Sequence, residues 1–504
     1  MTDRSSSSPA SPGLASDLGA DELARVEQSP LYNPDLAPVP SHARRWRMVD
    51  LAHLWVGMSV CIPTYMLASG LIEQGMSWWQ AVATVALGNL IVIVPMLLNG
   101  HAGTKYGITF PVFARASFGV RGTHVASALR AVVACGWFGI QTWIGGAAVY
   151  RLTLLLWPGL ADTAAIALVS SEHVRVNAAQ LASFLVFWAV NVGIFWRGME
   201  SLRRVENLGA PILIVLGLAL LVWAWSAAGG FGPILSQGDR FATAGDFWRT
   251  FFPSLTAMVG FWATLSLNIP DFTREAKSQR DQMLGQFLGL NTTMPFYAFV
   301  GVAVTSATVV IFGESIWDPV ELLARFDHPV VIAVSLLALA LATLTTNLAA
   351  NVVAPATAFT NFFPRRVSLR AGGVLTGLVG IAMMPWKLLA DPGGYIFTWL
   401  IGYSALLGPI GGVLICDYFV IRRTRLDLAG LYRDDGPYRY RGGYNLPALA
   451  ALALGVAPNV PGFLATLGVV RVAPFWTTLY HYAWFLAFAI AFGVYYLLMR
   501  AVRR

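Results

Sequence analysis

Apolar runs of about twenty residues recur along most of this 504-residue chain, and no other feature constrains its folding as tightly. Inside a bilayer every backbone amide must find its partner within the protein, so such runs become spanning helices and not open sheet. Twelve can be marked, roughly at 51–72, 79–99, 122–156, 178–196, 207–228, 250–271, 285–313, 330–360, 368–388, 395–422, 445–468 and 476–499. Composition agrees: 12% of the residues are charged, against roughly 25% in soluble domains. The third and eighth runs are long enough to include tilt or an extra turn. The first fifty residues lack the apolar stretch of a cleavable signal peptide.

A net charge of +8 would suit nucleic acid, but the placement of the charges argues against that partner. Of the 34 Lys and Arg, only Arg151, Arg175, Arg240, Arg249, Arg325, Lys387 and Arg471 fall on one side of the predicted membrane. The others group with the two tails and the even-to-odd loops. That asymmetry is the positive-inside pattern, and it predicts cytoplasmic termini in an inner (plasma) membrane. Central helix positions hold almost no Asp or Glu, so an ionic solute would lack a buried counter-charge. An uncharged substrate is expected. Arg130 is the most intruding base, while Asp271 and Asp417 lie near helix ends. Cys61, Cys135 and Cys416 all fall in predicted helices without metal-ligand spacing, so neither zinc nor a disulfide framework is indicated.

Residues 1–40, rich in Ser, Pro, Ala and Asp, read as a disordered cytoplasmic tail. The rest divides into five helices over 41–228, five more over 250–422, and two additional helices over 445–499. Trp55-Val-Gly-Met-Ser-Val-Cys-Ile-Pro63 can be laid on Trp262-Ala-Thr-Leu-Ser-Leu-Asn-Ile-Pro270, with Trp, Ser, Ile and Pro agreeing. Five helices separate the two segments, which makes the second copy inverted, as in many secondary transporters. Pro63 with Gly57, and Pro270 with Gly260, place helix breakers in both copies. Unwound backbone is therefore predicted in each, tolerated at membrane depth only where it is buried or lines a cavity. The stretch 100–121 predicts a short interfacial helix.

Trp137 and Gln141 are four residues apart and share one helix face. An indole beside a carboxamide offers a flat π surface with a paired donor and acceptor, which suits a flat, neutral, amide-bearing ligand. Spacing alone leaves hydrogen bonding to a neighbouring helix equally open for Gln141. Thr345, Thr346, Asn347 and Asn351 share the eighth run. Their hydroxyls are hard oxygen donors for a small cation, or else bond back to their own helix. Asn351 is harder to place in lipid, since a free amide there is costly. The helices contain no Ser/His pair, Asp dyad or H-E-x-x-H, so an intramembrane enzyme is disfavoured.

Several stretches together carry a specific resemblance: Asn33-Pro-Asp-Leu-Ala-Pro, Gly107 to Gly122, Trp137-Phe-Gly-Ile-Gln-Thr-Trp and Asn268-Ile-Pro-Asp-Phe. Thr346-Asn-Leu-Ala-Ala-Asn351 and Asp417-Tyr-Phe-Val-Ile-Arg-Arg423 complete the set. From about residue 33 to 440 the chain resembles the nucleobase:cation symporter-1 family. The resemblance implies an all-α membrane protein of LeuT-like fold, with a five-plus-five inverted repeat and two C-terminal helices. It implies import of an uncharged nucleobase or ureide, of uracil, allantoin, cytosine or hydantoin type, by cation symport with alternating access. No cofactor is implied, the coupling ion is sodium or a proton, and the protein is expected as a monomer or weak oligomer in the lipid bilayer. By position, Trp137 resembles the family's substrate-stacking tryptophan, Gln141 its amide hydrogen-bonder and Asn351 the asparagine at the substrate's polar edge. Phe261 and Trp262 resemble the aromatics of the sixth helix, and Cys61 stands where a hydantoin transporter has glutamine. The implied sodium site falls on Gly57, Val60, Ala342, Thr345 and Thr346, and the implied gate on Ser404, Leu406 and Leu407. The alternative is an amino-acid-type transporter of the same architecture, which would need a site for a carboxylate or ammonium group.

Overall fold

The computed structural model describes residues 18–160, 167–170, 175–197, 199–389 and 394–502. After a short helix α1 (Ala20–Glu27), α2 (Met48–Ser59) and α3 (Ile62–Glu73) form a pair bent by 56° at their junction. Next come α4 (Trp78–Tyr106), the short α5 (Phe110–Phe118), α6 (Thr123–Leu156), α7 (Ala178–Trp196) and α8 (Met199–Ala227). The second set comprises α9 (Ala244–Asn268), α10 (Gln279–Phe312), α11 (Pro329–Asn351) running into α12 (Val353–Phe362), α13 (Leu369–Ala382) and α14 (Ile401–Ile415). Two more helices, α15 (Leu446–Val456) and α16 (Ala483–Val502), close the chain. Among the described residues nine helices are long and apolar enough to span a membrane, ten with the bent pair. Shorter apolar helices, Pro211–Ala227 and Leu369–Ala382, stand where the fifth and ninth runs were placed.

Packing divides the helices into two groups. The bent pair, α4, α9 and α10 contact one another, and α6 gathers α7, α11, α12 and α13 around it. The bend has a local cause. Cys61 is extended (φ −146°, ψ 159°) and Pro63 sits in the first turn of α3, where a missing amide costs nothing. The Cys61 amide therefore turns to the Ser59 carbonyl at 3.1 Å, and the Thr64 amide to Cys61 at 3.1 Å. In an unbroken helix these amides would have bonded Gly57 and Val60, so the carbonyls of those two residues lose their helical partners.

Three expectations need correction. The second copy is not unwound at its middle: α9 runs unbroken through Gly260 to Asn268, and Pro270 begins a separate turn, Pro270–Thr273. Gly260 serves close approach, since a Cβ there would meet the Leu400 carbonyl at 2.9 Å and the Ser404 Cβ at 3.1 Å. The helix in 100–121 exists as α5, but all of its residues are buried, so it lies in the protein interior and not in the lipid interface. Its first amide, that of Phe110, donates to the Asp271 carboxylate at 2.7 Å.

The tail is also more ordered than its composition implies, while residues 1–17 lie outside the described residues. Residues 29–44 are tied down by specific bonds. Ser29 donates its hydroxyl hydrogen to the Tyr432 carbonyl, and Asn33 donates to the Pro364 carbonyl at 2.7 Å. The Tyr432 hydroxyl donates to Leu36 at 2.7 Å, and Arg44 reaches the Thr104 carbonyl at 2.5 Å. Buried Arg115 spans Leu31, Leu431 and the Asn361 side chain. Polar backbone partners, which composition does not report, outweigh the tail's low hydrophobicity.

Candidate substrate and cation site

Trp137 and Gln141 lie on the buried face of α6, 5% and 4% exposed. The Trp137 ring meets Phe261 of α9 edge to face, with centroids 5.1 Å apart and planes at 75°. Two aromatics not singled out in the sequence complete the enclosure: Trp399 at 6.1 Å and Tyr403 at 6.3 Å from Trp137, themselves 5.0 Å apart. Their own i, i+4 spacing, ahead of the expected gate, was the available signal. Edge-to-face geometry sets the positive rim of one ring on the negative face of the next, which holds the cluster without parallel stacking.

Trp262 is oriented differently. Its ring packs at 4.9 Å on Phe261 and 5.0 Å on Trp55, and its indole N–H donates to the Met294 sulfur at 2.8 Å. Phe261 is thus the residue of the pair that meets Trp137. The Gln141 Oε1 is buried and bonds no group among the described residues. Asn351, 7% exposed, donates from Nδ2 to Asn347 Oδ1 at 3.1 Å. Asn347 in turn reaches the Phe138 carbonyl at 3.3 Å and Thr142 Oγ1 at 3.1 Å, within a turn of both Trp137 and Gln141. The α6–α11 contact therefore brings the two carboxamide positions to one region.

Cys61 caps α3 at the bend, with its sulfur 3.2 Å from Thr64 Oγ1. The helices that carry the candidate cation oxygens are neighbours, since α2 packs against α11. On α11 the Thr345 and Thr346 hydroxyls both donate to the Ala342 carbonyl, at 2.7 and 3.1 Å. Gly57 and Val60 add the carbonyls released at the bend. Neutral oxygen donors of this kind suit a hard monovalent or divalent cation. No cluster of His, Cys, Asp or Glu with metal-site geometry occurs among the described residues. Of the expected gate, Ser404 and Leu407 are buried, Leu406 is half-buried, and Ser404 sits against Gly260.

Beneath the aromatics, Arg130 is buried and bonds through Nε and Nη2, while its Nη1 has no partner among the described residues. Its Nε donates to the Thr264 carbonyl at 2.8 Å, and Nε and Nη2 both reach Asn268 Oδ1. Asn268 continues to Asp271 at 3.3 Å, and Asp271 to the Phe110 amide. Arg130 thus joins α6 to α9.

A bent first span, two groups of packed helices and an uncharged aromatic–amide cluster where α6 meets α9, together with the solved structures the chain matches, define a secondary transporter of LeuT-like fold. Residues 38–487 match a family described as permease for cytosine/purines, uracil, thiamine, allantoin. The chain belongs to that family. It is 45% identical over 491 residues to the purine-uracil permease NCS1 of Arabidopsis thaliana, covering 97% of this chain and 80% of that one. It is 40% identical over 480 residues to the allantoin permease of Bacillus subtilis, covering 95% of each. Among solved structures it resembles MHP1, a nucleobase-cation-symport-1 family transporter, closed with bromovinylhydantoin bound. That match has a TM-score of 0.75 and 26% identity, covering 94% of this chain and 96% of the other. The chain is accordingly a multi-pass membrane permease and not an enzyme, and membership does not favour the amino-acid alternative.

Proposed function

We propose that the protein imports a flat, uncharged nucleobase or ureide, of uracil or allantoin type, across the inner (plasma) membrane with both termini cytoplasmic. Trp137 and Phe261 supply the ring faces, with Trp399 and Tyr403 closing the enclosure, while Gln141 and Asn351 read the solute's N–H and C=O edge. The observation that carries this reading is the buried carboxamide of Gln141, whose oxygen has no partner among the described residues beside the aromatic cluster. An unpartnered buried acceptor is costly unless a ligand satisfies it. Trp262 of α9 and Cys61 at the bend of the first span support the site, and Ser404, Leu406 and Leu407 move with α14 to open it.

Sodium is the coupling ion favoured by the oxygens of Gly57, Val60, Ala342, Thr345 and Thr346, with a proton as the competing choice. No ionisable side chain is needed for the first and one is needed for the second. Bias between outward and inward states comes from unequal solute and ion affinity in the two. Labelled uracil and allantoin uptake tests the reading. Parent cells take up at least one, and Gln141→Ala and Asn351→Ala weaken its affinity roughly ten- to hundred-fold. Normal uptake by both variants would remove the site.

A further inference from the structure

A carboxamide has two ends of similar shape, so its hydrogen-bond partners decide which end faces which way. Asn191 of α7 donates from Nδ2 to the Phe187 carbonyl at 2.8 Å. A carbonyl oxygen only accepts, so the other end, Asn191 Oδ1, is the one turned to Asn347, whose Nδ2 reaches it at 3.2 Å. That same nitrogen also donates to the Phe138 carbonyl at 3.3 Å and to Thr142 Oγ1 at 3.1 Å. The Thr142 hydroxyl hydrogen is itself committed to Phe138 at 2.6 Å, so Thr142 is held as an acceptor. Three acceptors therefore fix Asn347 nitrogen-first toward α6 and α7, and its Oδ1 toward Asn351. Asn351 answers with Nδ2 at 3.1 Å, which leaves its carbonyl oxygen as the uncommitted end. Asn191, Thr142 and Asn347 are all fully buried, so water does not compete for these bonds.

We infer that Asn191 and Asn347 are positioning residues that hold Asn351 carbonyl-outward, so that the site selects a solute with a ring N–H at that edge. This rests on the substrate reading above. A solute methylated at that nitrogen loses the bond, and the relay is what makes the loss large. Asn347→Leu frees Asn351 to turn, so N–H and N-methyl ligands are then treated more alike.

Calorimetric titration of the full chain in detergent tests this with uracil and hydantoin, each against its singly N-methylated derivatives. The parent is expected to favour the N–H form over one methylated form by about ten-fold or more. Asn347→Leu is expected to lower that ratio about five-fold or more, and Asn191→Leu to lower it less. If Asn347→Leu does not fold, Asn191→Leu carries the test. A ratio unchanged in the folded leucine variants while Asn351→Ala collapses it overturns the relay alone, as does a parent without the preference. A parent that binds neither ligand, or an Asn351→Ala protein with the ratio intact, overturns the substrate reading and the relay with it.

Discussion

Arg130 and Asn268 are joined by two hydrogen bonds to one atom: Nε and Nη2 donate to the same amide oxygen at 3.0 and 2.8 Å. The pair ties α6 to the end of α9, directly below the Trp137–Phe261 contact. Hydrogen bonds to a charged group contribute about 1.5–3 kcal/mol each way of counting, so Asn268→Ala lowers the melting temperature in detergent. Arg130→Lys lowers it as well, because an ammonium cannot reproduce the planar fork. Thermal unfolding of both variants is the measurement, and a parent-like transition in Asn268→Ala contradicts the expectation.

The aromatic cluster predicts a graded series at Trp137. Trp137→Phe keeps a ring against Phe261, whereas Trp137→Ala removes it. An aromatic pair contributes about 0.5–1.5 kcal/mol beyond area burial, so alanine should weaken solute affinity clearly more than phenylalanine. Competition binding reads the order directly.

Cation coupling is testable at α11. With sodium bound at the released carbonyls, sodium raises the melting temperature of the parent by mass action, and Thr345→Val and Thr346→Val abolish the rise. A proton-coupled protein shows no sodium shift in any of the three.

Asp417 is fully buried and is held by Arg422 at 2.6 Å, Ser117 at 3.1 Å and Tyr495 at 2.8 Å. Asp417→Ala leaves the guanidinium without its partner, a loss of about 3–5 kcal/mol for a buried pair. The expected result is poor yield or a marked fall in thermal stability, compared with a milder fall for Ser117→Ala.

Gly103 lets α4 lie against the turn after α9. A Cβ there would meet the Pro270 Cα at 2.7 Å and its carbonyl at 2.9 Å, and backbone cannot step aside cheaply. Gly103→Val is expected to destabilise by about 1–3 kcal/mol, read as a lower melting temperature.

The sequence made the spans legible because bilayer thickness demands long apolar runs, and these survive any detail of packing. It also pointed to the break before Pro63, since a missing amide is written in the chain. The same reasoning misplaced the break in the second copy. Gly260 permits both unwinding and close approach, and only the position of Leu400 and Ser404 decides between them. Trp137, Gln141 and Asn351 stood out as polar or aromatic groups in apolar surroundings. Trp399, Tyr403 and Asn191 did not, because their importance lies in which neighbours the fold brings to them. Composition likewise failed for residues 29–44, whose order depends on distant carbonyls at 104, 364 and 432.

Those same attachments have a mechanical consequence. One short length of backbone is moored to the end of α4, to the turn following α12 and to the loop following α14, elements drawn from both packed groups of helices and from beyond them. Whenever one half tilts against the other, the moorings must travel together or one must slip. The slack between Ser29 and Arg44 then sets how wide that end of the bundle can open.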